Sequence, residues 1–188
     1  MNIALRSGKG TVSDIAVGNP KSYVAAKAIT VGDVTLQLDT ASIASKGPLI
    51  IKELTVTKPY IIYEVGANGA SNLQQLQKNV QSNTSKNTSK TTKTSRKVII
   101  QNLYVRDGKV AVTHGLLKGK KVKTDLPLIH LRNIGQEGQG ATPQELARQI
   151  LNQISAKAIQ AGGRAVTKEI GGIDTTKLND TLKGLFKK

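Results

Sequence analysis

The stretch Ile51-Lys52-Glu53-Leu54-Thr55-Val56 decides the fold of this protein, because its apolar spacing occurs three times in the chain. An apolar residue is followed three positions on by Leu or Ile, and two positions later by Val. The other copies are Val12, Ile15, Val17 and Ile100, Leu103, Val105. Repeated, one-sidedly apolar strands build a surface or trough, and such surfaces usually bind or scaffold instead of catalysing.

Strict alternation in Val34-Thr35-Leu36-Gln37-Leu38-Asp39 also favours a β-rich fold. The apolar residues of this stretch share one face and the polar residues share the other, as in a half-buried antiparallel strand. The three-then-two spacing of the repeat implies a change of face within each copy, which a bulge or tight turn absorbs. We therefore predict a mainly β fold with helices (α+β), in which a curved antiparallel sheet of repeated strand units is capped by a C-terminal helix.

Composition divides the chain into four segments. Residues 1–81 predict the first half of the sheet with a short helix, and residues 98–135 predict the second half. Between them, residues 82–97 are almost all Ser, Thr, Asn and Lys, which predicts a flexible linker that interrupts the sheet. Residues 136–188 predict a C-terminal helical region.

Two helices carry start signals. Ser71 is an N-cap candidate for a short helix that ends near Val80, with apolar residues at helical spacing. Thr142-Pro143-Gln144-Glu145 has the capping-box signature with Pro at the first helical position, which predicts the start of the C-terminal helix. Gly162-Gly163 predicts an interruption further along.

Charge and residue types limit the chemistry. In 188 residues, 28 basic side chains face 12 acids, and the formal net charge of +16 favours anionic partners: phosphate backbones, anionic lipid headgroups or an acidic protein. The absence of Cys excludes disulfides and thiolate metal sites. His114 and His130 are the only histidines and the acids are dispersed, so we expect no metal site, no cofactor and no catalytic residues. An enzyme is the least favoured class.

Several stretches, taken in order, resemble bacterial AsmA-like proteins, and the resemblance extends over most of the chain. They are Gly8-Lys9-Gly10-Thr11, Val17-Gly18-Asn19-Pro20, Leu49 to Leu54, Pro59 to Glu64, Ser71-Asn72-Leu73, Leu126 to Leu131, and Gly140-Ala141-Thr142-Pro143. The resemblance implies an envelope protein of a Gram-negative bacterium. Its body would lie in the periplasm, anchored to the inner membrane through an N-terminal segment absent from this chain. Larger relatives look like bridge-type lipid-transfer proteins, whose curled sheet presents an apolar groove to phospholipid acyl chains.

From the pattern and the resemblance together, we expect a non-catalytic protein that binds or conducts phospholipid on an apolar sheet face, or that helps to organise the cell envelope. The expected lipid-binding residues are Ile15, Val17, Val34, Leu36, Leu38, Leu54, Val56, Leu103 and Val105. The same residues are also what an ordinary core would contain. The expected membrane-surface residues, in a basic amphipathic C-terminal segment, are Lys177, Lys183, Phe186, Lys187 and Lys188.

Two other functional hypotheses stay open. A structural scaffold or adaptor would use the same sheet with its apolar face covered by the protein's own helix, with envelope proteins or further copies of the chain as partners. A nucleic-acid-binding basic module would rest on the charge of +16. The scarcity of aromatic side chains, four Tyr and one Phe, argues against the stacking that holds single-stranded bases.

Overall fold

A computed structural model describes residues 2–4, 7–66, 69–87, 96–114, 117 and 120–169 of the protein. Within these residues the fold is α+β, as predicted: a nine-stranded open sheet with helices packed on it. The strands are β1 (Asn2–Ala4), β2 (Lys9–Gly18), β3 (Lys27–Leu38), β4 (Leu49–Thr57), β5 (Tyr60–Val65), β6 (Val98–Arg106), β7 (Lys109–His114), β8 (Val122–Asp125) and β9 (Ile129–Ile134). The helices are α1 (Thr40–Ala44), α2 (Asn72–Asn87) and α3 (Pro143–Glu169), with a 3-10 turn at Gln136–Gly138.

Six of these strands are halves of three longer ones. β4 and β5 both pair with β3 in one continuous register, in which Asp33 faces Thr57 and Thr30 faces Tyr60. β6 and β7 continue each other in the same way, and so do β8 and β9. These three long strands are therefore each interrupted once and then continue in register.

The second and third copies of the repeat lie side by side. Leu49 faces Val98 and Val65 faces His114, so the two long strands run parallel with a constant separation of 49 residues. The prediction of an antiparallel sheet is wrong at these two pairings, although all other pairings of the described strands are antiparallel. The reason is the chain segment that contains α2, because a crossover connection brings the next strand back in the same direction.

Two lines of irregular backbone cross the sheet. The first crease passes through Asp14, Gly32, Lys58, Asp107 and Pro127, which lie next to one another in the strand register. Three of these residues are left-handed, with φ of 57° at Asp14, 51° at Lys58 and 55° at Asp107. The buried residues nearest this line are Leu103 and Val105 on β6 and Val110 and Val112 on β7, so the interruption keeps these apolar side chains on one face.

The second crease crosses the repeat itself. It passes through Lys52, Gln101 and Asn133, and Asn133 is left-handed with φ of 53°. The register between β3 and β4 shifts at the same level, because Leu38 faces Ile51 while Gln37 faces Glu53. This is the change of face that the three-then-two spacing predicted.

α3 runs from Pro143 to Glu169 and passes through Gly162-Gly163 without a break, so the predicted interruption is wrong. A Cβ added at Gly162 would lie 2.7 Å from Cγ2 of Val112 and 3.4 Å from Cδ1 of Tyr63. The glycine therefore lets the helix approach the sheet closely. Packing against β5 and β7 outweighs the low helix propensity of glycine here.

The predicted linker is partly structured. α2 begins behind a capping box, in which Ser71 N donates to Gln74 Oε1 at 3.0 Å, and continues to Asn87, through residues 82–87 of the predicted linker. Near the other end, the Arg96 guanidinium donates to the carbonyl oxygens of Ile43 at 3.0 Å and Gly47 at 2.9 Å, and also to those of Ser42 and Ser45. Residues 88–95 lie outside the described residues. The sheet is continuous across this connection, because β4 pairs with β6 and β5 with β7.

Candidate functional site

Helices cover the apolar face of the sheet over only part of its width. α3 packs on β5, β7, β8 and β9, and α2 packs on β5 and on α3. Within the residues that the structure describes, no helix packs to a similar extent on β2 or β3, and on β4 only the short α1 does. We call the half-buried apolar side chains of this region the apolar strip: Val12, Ile15, Val17, Val31, Val34, Leu36, Leu38 and Leu54.

The apolar strip is continuous with the core. One row of cross-strand neighbours runs Val12, Val34, Val56, Val105, Ile129 from β2 to β9. Exposure falls along it: the first two residues are half-buried, whereas Val56 is 7 % exposed, Val105 1 % and Ile129 3 %. The row passes under helix cover as it approaches β9, so the strip is the uncovered continuation of the face that forms the core.

The nine residues expected to bind lipid fall into two groups. Val56, Leu103 and Val105 are buried in the core. Ile15, Val17, Val34, Leu36, Leu38 and Leu54 are half-buried and belong to the apolar strip. Sequence pattern placed all nine on apolar strands, but it carried no information on which strands the helices would cover.

The dimensions of the strip suit an extended hydrocarbon chain. Neighbouring strands lie about 4.8 Å apart, so β2, β3 and β4 together make the strip about 10 Å wide. Along β3, the distance from Val31 to Leu38 is at most about 23 Å at about 3.3 Å per residue. One acyl chain spans about 15 Å, half of a bilayer's hydrocarbon core, so the strip is long enough for a whole chain.

A buried polar cluster fixes one end of the strip. Glu64, on β5, is 8 % exposed, and its carboxylate accepts hydrogen bonds from Val24 N and Ala25 N, both at 2.9 Å. Asn19 Nδ2 donates to the same carboxylate at 3.3 Å, and Asn72 Nδ2 donates to Asn19 Oδ1 at 2.9 Å. These bonds hold the connection between β2 and β3 against the sheet. Pattern analysis missed this cluster, since its members lie far apart in the sequence.

Two tyrosines near this cluster are poor proton donors. Burial, and secondarily the negative charge of ionised Tyr23, raises the pKa of Tyr63 to about 12. Burial also raises the pKa of Tyr23, with a further contribution from the charge of Glu64. Both hydroxyls therefore stay protonated at neutral pH.

The two histidines lie in different surroundings. The His130 ring stacks on Tyr104 with ring centroids 4.2 Å apart, the Arg106 guanidinium lies 4.6 Å from the centre of the Tyr104 ring, and His130 Nε2 lies 3.0 Å from Asn102 Oδ1. Burial lowers the pKa of His114. Among the described residues, no group of three His, Asp or Glu side chains is placed to hold a metal ion.

No protein-family model matches this chain, and no curated protein matches it. None of the described helices combines the length and the apolar character that crossing a membrane would require. The expected membrane-surface residues Lys177, Lys183, Phe186, Lys187 and Lys188 lie outside the described residues. The apolar strip and its surroundings are therefore the candidate functional site.

Proposed function

We propose that the half-buried apolar strip binds the acyl chains of phospholipid and that the protein is a non-catalytic component of the bacterial cell envelope. Periplasmic location and attachment to the inner membrane belong to this proposal, on the strength of the resemblance to AsmA-like proteins. The observation that carries it is the unequal helix cover of one apolar face. α3 packs over β5, β7, β8 and β9, while the strip on β2, β3 and β4 continues the same rows of aliphatic side chains beyond the helices.

Apolar surface of the strip that stays in contact with water costs free energy. Burial of apolar area is worth about 25 cal/mol per Å², and contiguous apolar patches on soluble proteins mark sites that bind apolar partners. Leu36 and Leu54 face each other on β3 and β4, next to the pair Val34 and Val56. An acyl chain laid along these residues would bury them without any directional bond, so lipid could slide along the strip without a catalytic group.

A scaffold with a self-covered core is the second candidate, and one observation favours it. Val56, Leu103 and Val105, three of the nine expected lipid-binding residues, are already buried. If the strip is also covered in solution, by a further segment or by a partner protein, then no lipid should be bound. The two candidates therefore differ in a measurable quantity, the phospholipid content of the folded protein.

The test is native mass spectrometry of the gently purified protein, together with solvent extraction and identification of co-purifying lipid. Leu36→Asp places a charge on the strip, and Thr35→Asp is its matched control, because Thr35 is the next residue of β3 and points to the opposite face. We expect phospholipid at a defined stoichiometry in the wild type and in Thr35→Asp, and its loss in Leu36→Asp. Leu54→Gln is a milder replacement should Leu36→Asp fail to fold.

Unchanged circular dichroism would show that lipid loss is not unfolding. A folded wild-type protein that carries no lipid, and that takes up none when phospholipid is added, would contradict the proposal and leave the scaffold as the better account. Equal loss in Thr35→Asp would also contradict it, because that variant leaves the strip intact.

A further inference from the structure

The connection between β2 and β3 is a rigidly held loop with an apolar tip. We call residues 19–26 the Val24 loop. Its ends are closed by a hydrogen bond from Asn19 N to Ala26 O at 3.1 Å, and a tight turn follows from Tyr23 N to Pro20 O at 3.0 Å. The Glu64 carboxylate then fixes the backbone at the tip, since it accepts from Val24 N and Ala25 N.

Although the backbone at the tip is held by buried groups, the side chain of Val24 is exposed to solvent. It is 99 % exposed, the highest value among the exposed large apolar residues, whereas Glu64 is 8 % exposed and Asn72 is 0 % exposed. Tyr23, Ala25 and Ala26 extend the apolar run around it. A buried carboxylate and amide thus hold the backbone of a loop whose apolar side chain points into solvent. The hydrogen bonds to Glu64 distinguish this tip from a loose surface loop.

Positive charge lies at the same end of the sheet as the tip. Lys21 lies in the Val24 loop and Lys27 follows it, and both are exposed. The same end of the sheet carries β8, because the start of β3 faces β5, β5 lies beside β7, and Val112 near the end of β7 faces Val122 at the start of β8. The exposed lysines at this part of β8 are Lys120, Lys121 and Lys123. The two ion pairs found within the described ranges involve Lys52 and Lys109, so neither neutralises these five lysines.

We propose that the Val24 loop docks the protein on an anionic bilayer. Tyr23 and Val24 enter the interfacial region, where an apolar body with a polar end is favoured, and the five lysines contact lipid phosphates. Docking goes beyond the proposed function, because a membrane surface can be bound without any lipid entering the strip. If the proposed function also holds, docking brings the ends of β2 and β3, which carry Val17 and Ile29, next to the bilayer.

The chain contains no Trp, so a single introduced Trp reports on one place only. In Val24→Trp, we expect a blue shift of Trp emission when the full chain meets vesicles of phosphatidylcholine with phosphatidylglycerol. Pure phosphatidylcholine vesicles should give little shift, because the lysines then lack anionic partners. The matched control is Leu128→Trp, since Leu128 is also an exposed apolar residue, 66 % exposed, but lies between β8 and β9. Its emission should not change.

Vesicle flotation of unlabelled variants provides the second measurement. Val24→Asp should weaken binding to the anionic vesicles about tenfold, which is the order expected for removing one buried aliphatic side chain. Leu128→Asp should leave binding unchanged. Failure of the wild type to float, an unshifted Val24→Trp spectrum on bound vesicles, or equal losses in the two Asp variants would each overturn docking through this loop.

The two proposals fail separately. Vesicle binding through Val24 by a protein that never takes up phospholipid would support docking and contradict the lipid-binding strip. Co-purified phospholipid in a protein that does not bind vesicles would support the lipid-binding strip and contradict docking.

Discussion

Asn72 shows how single polar residues, rather than ion pairs, hold the irregular parts of this molecule. It is fully buried, and its Oδ1 accepts from Glu64 N and Leu73 N, both at 2.9 Å. Its Nδ2 donates to Ile62 O at 2.7 Å and to Asn19 Oδ1. One amide therefore joins β5, the first turn of α2 and the Val24 loop. A buried amide with all four hydrogen bonds made is specific for one arrangement, because any other would leave polar groups unpaired.

Gly162 is a helix glycine whose replacement by Ala should lower the free energy of unfolding instead of raising it. Gly→Ala inside an exposed helix normally stabilises by up to about 1 kcal/mol, but a Cβ at Gly162 would lie 2.7 Å from Val112 Cγ2. We expect Gly162→Ala to lower the free energy of unfolding by about 1–3 kcal/mol, the usual cost of overpacking. Urea denaturation measures this. Gly18→Ala is the control and should change little, since a Cβ there meets nothing within 4 Å.

At the scale of strands, the first crease is a strained feature that glycine should relieve. Lys58, between β4 and β5, has φ of 51°, and a left-handed non-glycine residue costs about 1–2 kcal/mol. We expect Lys58→Gly to raise the free energy of unfolding by up to about 1 kcal/mol, after the entropy that glycine adds to the unfolded chain. Lys58→Val should lower it. Similar losses in both variants would show that the lysine side chain, and not the backbone angle, matters at this position.

At the start of α3, the capping box predicts a dependence on pH. Hydrogen bonds from the backbone N–H of Thr142, and then from its hydroxyl, lower the pKa of Glu145. The carboxylate therefore contributes stability above its usual pKa, and the contribution is lost as pH falls through the lowered pKa of the folded state. We expect Glu145→Gln to be less stable than the wild type near pH 6, by less than about 1 kcal/mol because Glu145 is partly solvent-exposed. The difference should vanish in acid.

Urea titrations at several pH values measure this difference. Thr142→Ser keeps the hydroxyl and should keep the pH dependence. The free energies of unfolding of the wild type and Glu145→Gln could instead differ by the same amount at all pH values. That result would show that the charge of Glu145 does not contribute to the stability of the capping box.

The same elements show what the sequence could and could not predict. Alternation in Val34 to Leu38 predicted β3, and the capping box predicted the start of α3, because both signals are local. The length of α3 was not predictable, since the contact between Gly162 and Val112 joins residues far apart in the chain. Parallel pairing of β4 with β6 escaped prediction for the same reason. Apolar spacing identified the face that forms the strip, but helix cover decides which part of that face stays open.

At the scale of the whole molecule, one sheet contains strands from both residues 1–81 and residues 98–135, which a linker of different composition separates in the sequence. The long strands on either side of residues 82–97 pair along their full length, from Leu49 with Val98 to Val65 with His114. The covered part of the face supplies the core, the apolar strip continues it, and the Val24 loop closes the end of the strip. A protein built in this way should unfold as one cooperative unit despite the linker.

Leu103 tests this cooperativity. It is 0 % exposed on β6 and faces Leu54 on β4 and Leu131 on β9. We expect Leu103→Ala to lower the free energy of unfolding by about 2–5 kcal/mol, the usual cost of a core cavity. Because the sheet is shared, hydrogen exchange should show the same loss in the most protected amides of β3 and β5 as in those of β6 and β9. Thr35→Ala, on the opposite face of β3, should stay within about 0.5 kcal/mol of the wild type. Protection lost in β6 and β9 alone would mean that the two halves fold separately, and the strip would then belong to the first half by itself.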